Sequence, residues 1–280
     1  MLSEGDSQRV AELMRETAAA ELLPRFRNLA KEDVRQKRPG DFVTVADVES
    51  EQRLASGLAK ILPGVPVVGE EAVEADPGLL QLIARPGETC WIVDPLDGTA
   101  NFAAGRDRFA MIVCLVHDGL TVGGWILDAP NDRIAIALKG QGVTLDGKAV
   151  VSRAILSSAP RGLVGYRIRK EFDGQLSQGQ RRQFGELTTL NCAGREYIEV
   201  LAGSYDFTLY RMTKPWDHAA GALMLEEAGG AAVRFNGSPF RPADRIDSGI
   251  IASPSKAVLE DVRAIFETVR LPLLTPRPSS

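Results

Sequence analysis

Histidine and cysteine are scarce in this chain of 280 residues. There are two histidines, His117 and His218, and three cysteines, Cys90, Cys114 and Cys192. Two histidines are too few for a histidine-rich metal centre, so His117-Asp118 reads as a strand-end turn rather than half of such a site. The cysteines are odd in number, far apart and form no Cys-x-x-Cys pair, which reads as reduced, buried thiols. None is followed by arginine at the spacing a cysteine phosphatase needs, Cys-x5-Arg. No apolar run approaches the roughly 18 residues of a spanning helix. The opening residues, MLSEGDSQRV, lack a basic stretch followed by an apolar one. Basic excess is missing too: 33 Lys and Arg against 37 Asp and Glu leave a net charge of −4, without the footprint of a nucleic-acid binder. A cytoplasmic protein that binds neither membrane nor nucleic acid is expected.

The composition that remains, 44% hydrophobic and 25% charged, suits a soluble globular chain with a substantial core. Residues 7–26 and 49–64 show helical spacing, the first ending or kinking at Pro24 and the second closed by Pro63-Gly64. Residues 41–48, DFVTVADV, alternate as a strand does. VPVVGEE and CWIVDP read as apolar strands ending in acids. FAMIVCLVHDG, LTVGGWILDAP and RIAIALKGQG form an antiparallel meander, and GVTLDGKAV adds a hairpin at its Asp-Gly turn. Beyond residue 150 strands and helices alternate: RAILSS (strand), a polar segment 167–184 (surface helix or loop), GELTTLNC, GREYIEVLAGS, YDFTLYRM, PWDHAAGALMLEEAGG, AAVRFNG, SGIIAS and PSKAVLEDVRAIFETV, before a loose proline-rich tail. The expected organisation is an N-terminal α+β half over 1–150 with an antiparallel sheet and most of the acids. An α/β half over 151–280 with a mixed sheet would follow.

The chemistry concentrates in WIVDPLDGTANF, where a buried strand ends in Asp94 and Asp97. A buried carboxylate without a compensating positive charge shifts its pKa and neutralises. Asp47, Glu70 and Asp217 also lie at strand or helix ends beside Gly or Pro, or at the close of an alternating run. Hard divalent cations prefer oxygen ligands, and carboxylates converging from strand ends can hold two such ions for phosphoryl displacement. Gly98 and Thr99 would open a helix whose free N–H groups can bind phosphate oxygens. Asp-Pro-Leu-Asp-Gly-Thr is not the Asp-x-Asp-Gly-Thr of haloacid-dehalogenase phosphatases, which have one residue between the aspartates.

VPVVGEE, WIVDPLDGTANF and PWDHAAGALMLEEAGG, in this order and at this separation, together with DFVTVAD, resemble the signatures of the inositol monophosphatase family over nearly the whole chain. The resemblance implies an α/β, five-layered αβαβα fold of the inositol-monophosphatase/fructose-1,6-bisphosphatase kind. It also implies Mg²⁺-dependent, lithium-sensitive hydrolysis of a phosphate monoester and a homodimer. Carried over by position, Glu70, Asp94 and the Leu96 carbonyl would hold one Mg²⁺. Asp94, Asp97 and Asp217 would hold a second, and Glu70 with waters a third. Thr99, paired with Asp47 and assisted by Glu70, would polarise the attacking water. Asp97, Gly98, Thr99, Ala193 and Asp217 would contact substrate. Asn191 stands where the family usually has glycine, and Tyr210 where inositol-specific members carry an acid. With Arg195, Arg211 and Lys214 nearby, a basic substrate rim is expected. The expected function is an inositol-1-monophosphatase-like phosphomonoesterase acting on a small polyol or sugar phosphate by metal-activated water. Histidinol phosphatase or 3′(2′),5′-bisphosphate nucleotidase activity in the same fold, or a catalytically silent metal- or phosphosugar-binding regulator, are the alternatives.

Overall fold

Residues 89–97 show how alternation builds the core. Cys90 and Ile92 pack into one apolar cluster and Trp91 and Val93 into another, on opposite faces of one strand. The neighbouring strand repeats the division, with Ile112 and Cys114 on one side and Met111 and Val113 on the other. Both faces of this sheet are therefore covered.

The computed structural model describes residues 2–151 and 159–268. In chain order the elements are α1 (Glu4–Thr17), β1 (Val34–Arg38), β2 (Asp41–Thr44), α2 (Val45–Ile61), β3 (Val67–Gly69), α3 (Glu70–Ala75), α4 (Gln81–Ala84), β4 (Thr89–Asp97), α5 (Thr99–Ala103), β5 (Ala110–His117), β6 (Leu120–Asp128), β7 (Arg133–Leu138), β8 (Val143–Leu145), β9 (Lys148–Val150), β10 (Gly162–Val164), α6 (Tyr166–Gln175), α7 (Gln178–Arg181), β11 (Leu187–Thr188), α8 (Ala193–Leu201), β12 (Phe207–Tyr210), α9 (Pro215–Glu227), β13 (Ala231–Val233), β14 (Ile250–Ser253) and α10 (Lys256–Thr268). The RAILSS strand and the proline-rich tail lie outside the described residues.

Among the described residues three sheets form: the hairpin β1-β2, a seven-stranded sheet in the order β3-β4-β5-β6-β7-β8-β9, and a five-stranded sheet in the order β11-β10-β12-β14-β13. From β4 to β9 each strand is antiparallel to the next, and β3 is parallel to β4. The β8-β9 hairpin turns at Asp146 and Gly147, both at positive φ (52° and 75°), as a two-residue hairpin turn requires.

The layers follow from the apolar faces. α1 and α2 cover one face of the seven-stranded sheet through Val10, Met14, Leu54 and Leu58, against Trp91, Trp125 and Met111. α8 and α9 cover the other through Tyr197, Ile198, Leu223 and Met224, and the same cluster takes in Leu163, Ile250 and Ala252 of the second sheet. Ile168 of α6 and Val258, Leu259 and Val262 of α10 close its outer face. The fold is thus a five-layered αβαβα sandwich. α9 is apolar nearly all round, as a helix between two sheets must be. Its Gly221 is a close approach: a Cβ there would stand 2.2 Å from the Tyr197 ring.

One expectation changes. The alternating run 41–48 is a strand only to Thr44, after which Val45 opens α2. Thr44 Oγ1 and Asp47 form a capping box, and that local hydrogen bonding outweighs the β-branched alternation of Val43, Thr44 and Val45. β1, reading VRQKR, has no apolar alternation and forms by hydrogen-bonding to β2 across a turn containing Gly40, at φ 83°.

Candidate active site

Asp94 and Asp97 are three residues apart, so a regular strand would place them on opposite faces. The β4-β5 register shifts between them. That bulge turns Leu96 into the α1/α2 cluster and leaves both aspartates on the α8/α9 side. Leu96 N–H donates to Asp94 Oδ1 (3.0 Å). Gly194 N–H, in the first turn of α8, donates to Asp97 Oδ2 (2.6 Å), and Cys192 Sγ lies 3.1 Å from the same oxygen. The next residue, Gly98, turns at φ 86°, where a Cβ would stand 2.7 Å from the Arg108 carbonyl oxygen. Glycine is needed there on both counts.

The remaining acids sit in first turns of helices, where the peptide dipoles favour negative charge. Glu70 opens α3, Asp217 lies in the first turn of α9 behind Pro215, and Asp47 in that of α2. Carboxylate oxygens of Glu70, Asp94 and Asp217 lie within 4.8 Å of one another. They line a cavity of about 170 Å³ with Leu96, Asp97, Gly98, Thr99, Ala100, Lys214 and the hairpin residues Gly40, Asp41 and Phe42. Thr99 Oγ1 donates to Asp47 Oδ1 (3.0 Å) and stands 2.9 Å from the Leu96 carbonyl oxygen. The other Asp47 oxygen accepts from Thr44 N–H (2.7 Å) and Thr44 Oγ1 (2.6 Å), so Asp47 caps its helix and orients Thr99 at once.

The electrostatics are those of acids crowded without enough positive charge. Burial, then the neighbouring Glu70, Asp97 and Asp217 charges, push Asp94 well up. Burial, then the Asp217 charge, raise Asp97 to about 7. Burial raises Asp47 to about 7 against the pull of the Thr44 hydrogen bonds. Burial likewise raises Glu70 and Asp217, opposed by Lys214. Lys214 Nζ lies 3.0 Å from Glu70 Oε1. Carboxylate oxygens held this close, and protonating for want of counter-charge, suit a hard divalent cation.

Asp47, Glu70, Asp94, Leu96, Asp97, Gly98, Thr99 and Asp217 are therefore neighbours. The triad that converges most closely pairs Glu70 with Asp217 around Asp94, while Asp97 is turned toward α8. Ala193 is buried at the start of α8 and does not line the cavity. The basic rim is narrower than expected. Arg195 is drawn away to the fully buried Asp128 (2.6 Å). Tyr210 donates its hydroxyl to the buried Glu196, and the Arg211 carbonyl accepts from Gly249 N–H (3.1 Å). Lys214 alone of these lines the cavity. His218 is internal, bonded to the Met212 carbonyl oxygen (2.9 Å) and Tyr197 Oη (3.1 Å).

Glu51 escaped the sequence reading. It projects from α2 and accepts from the N–H groups of Glu71 (2.9 Å) and Ala72 (2.8 Å), capping α3 where Gly69 offers no side chain. It thereby anchors the helix that begins with Glu70. An acid so placed has no local sequence signal, because its partners are 20 residues on.

Residues 6–270 match the model of the inositol monophosphatase family. A Pseudomonas aeruginosa protein described as Nus factor SuhB is 31% identical, over 79% of this chain and 83% of its own. A Rhizobium meliloti inositol-1-monophosphatase is 29% identical, over 82% and 85%. Among solved structures, extragenic suppressor protein suhB from Bartonella henselae superposes with a TM-score of 0.75 at 24% identity, covering 92% of this chain and 98% of that one. Thermotoga maritima IMPase superposes at 0.74 and 23% identity, with 92% and 96% covered.

Proposed function

The chain belongs to the inositol monophosphatase family, and from that premise we propose that it is a Mg²⁺-dependent phosphomonoesterase hydrolysing a small polyol or sugar phosphate. The observation carrying this reading is the Glu70–Asp94–Asp217 carboxylate cluster with the Thr99–Asp47 pair at its edge. Glu70, Asp94, Asp97, Asp217 and the Leu96 carbonyl would hold the ions, two to three in number. Bound Mg²⁺ would supply a more acidic water and positive charge beside the phosphate oxygens.

The chain's own groups do the rest. Thr99 donates its proton to Asp47, which leaves its oxygen lone pairs to accept from a water beside the cluster. Asp47 is fixed by both Thr44 bonds and, at about 7, can take up a proton near neutrality. Gly98 and Thr99 N–H groups would hold phosphate oxygens. A protein that only binds a phosphosugar has no use for a half-buried threonine paired with a buried aspartate beside its anion site, which favours an enzyme over a silent regulator. Family membership also supports a homodimer and lithium sensitivity. The three cysteines, all free and buried, support a reducing cytoplasm.

Phosphate release from a panel of inositol, sugar, histidinol and nucleoside bisphosphate esters, with Mg²⁺, Ca²⁺ or EDTA, tests the reading and names the leaving group. Mg²⁺-dependent turnover is expected. Asp94→Asn and Thr99→Val should each lower kcat by at least about a hundredfold with the fold intact, and Thr99→Ser should keep most activity. Near-normal turnover of Asp94→Asn at limiting Mg²⁺ would count against the assignment. Silence across the panel with metal binding retained would favour the regulator.

A further inference from the structure

The proposed chemistry leaves two charged groups of the cavity without a role, Asp41 and Lys214, and Lys214 is the cation. Lys214 immediately precedes α9 and sets its Nζ 3.0 Å from Glu70 Oε1, at the cluster Glu70 forms with Asp94 and Asp217. Its backbone is held firmly. The Lys214 carbonyl accepts from Asp217 N–H (3.2 Å), and Thr213 N–H donates to the Ile246 carbonyl (2.7 Å). The Met212 carbonyl, two residues earlier, is bonded to His218 Nε2 (2.9 Å). The side chain is a flexible four-carbon stem, 35% exposed, with Nζ 5.4 Å from the centre of the Trp216 ring. A cation on a flexible stem thus hangs from a hydrogen-bonded stretch of backbone onto an oxygen that a divalent ion would use. An ammonium there offsets carboxylate repulsion when no other cation does, and it repels a dication approaching the same oxygens.

We propose that Lys214 is a tethered counter-cation: its ammonium holds the carboxylate cluster together in the metal-free protein and must leave Glu70 before a divalent cation takes that position. The inference rests on the metal reading given above. It makes Lys214 a determinant of metal affinity, trading tighter binding for an acid cluster that stays assembled when empty. A purely structural ion pair has the opposite signature, because its removal would loosen Glu70 and weaken the metal.

Calorimetric titration of EDTA-stripped protein with Mn²⁺ separates the two. Lys214→Met should bind Mn²⁺ about tenfold more tightly than wild type, about 1.4 kcal/mol. Its metal-free Tm should be lower and its metal-loaded Tm unchanged or higher. Lys214→Arg should behave like wild type. Unchanged or weaker Mn²⁺ binding by Lys214→Met overturns the proposal. Absence of Mn²⁺ binding at millimolar concentration in wild type and both variants removes the metal reading itself, and the counter-cation with it. Should Lys214→Met fail to fold without metal, wild type supplies the test through reductive methylation read by peptide mass spectrometry. Lys214 should be modified several-fold faster in Mg²⁺ than in EDTA, and equal rates overturn the proposal.

Discussion

Asn191 illustrates how much one position can be constrained by backbone alone. Its φ of 54° lies in the left-handed region that asparagine tolerates better than other side-chain-bearing residues. Asparagine at this position therefore suits the turn that delivers Cys192 and Gly194 to Asp97. Asn191→Gly should be near neutral in stability, whereas Asn191→Ala should cost about 1 kcal/mol. Denaturant midpoints at constant m-value check this, and equal stability of the two variants would show that the turn does not depend on the conformation. Asn101 works alongside, its Nδ2 donating to the carbonyls of Arg108, Leu190 and Asn191 (2.8, 3.0 and 3.1 Å). It ties α5 to the segment before α8.

At the scale of elements, the site is a meeting of helix starts around one irregular strand. α2, α3 and α9 each bring an acid in their first turn, and the bulge in β4 sets two more on the same side. α3 is the weakest of these elements, six residues long and without a cap of its own. Glu51 supplies the cap from α2. Glu51→Ala leaves the N–H groups of Glu71 and Ala72 without their acceptor, so stability should fall by about 1–2 kcal/mol. Because Glu70 is the first residue of α3, Mn²⁺ affinity should fall as well. Glu51→Gln, which keeps one acceptor oxygen, should lie between the two. Thermal unfolding with parallel Mn²⁺ titration measures both effects. A stability loss without any change in metal affinity would separate the cap from the site.

For the whole molecule, the crowded acids make stability depend on pH in a stated direction. Asp47 and Asp97 move from an ordinary 3.8 to about 7 on folding, and Glu70, Asp94 and Asp217 are raised as well. Between pH 3.8 and about 7 the folded protein therefore holds more protons on these groups than the unfolded chain. Its stability falls as pH rises through that window. His218, buried and pushed down to about 3, works the other way below pH 6.5, but Glu51, Glu71, Asp128, Glu196 and Glu226, also raised by burial, add to the five acids of the site. Lys214 is raised further above its already high value and contributes evenly across the window. In EDTA the Tm should drop between pH 5 and 7.5, by about 3 °C for each net proton and pH unit. Mg²⁺ favours the charged carboxylates, so it should flatten or reverse the slope. An EDTA profile that rises toward pH 7.5 would contradict the crowding of these acids.

Composition, apolar period and the three acidic signatures carried the layered α/β architecture and the family in the sequence itself. Alternation in residues 90–93 and 110–116, the all-round apolar character of α9 and the Asp-Gly hairpin turn are local properties, and they survive folding because each agrees with the layers around it. The hydrogen-bonded pairing of Thr99 with Asp47, 52 residues apart, was legible only through the family resemblance. The fate of the rim was not legible at all. Arg195, Tyr210 and Lys214 all carry hydrogen-bond donors at the end of a long side chain, yet the first two are spent on the buried acids Asp128 and Glu196, while the third reaches the cavity. Only tertiary packing decides which long polar side chain finds a buried partner and which is left facing the site, because an unpaired buried charge costs more than any local preference supplies.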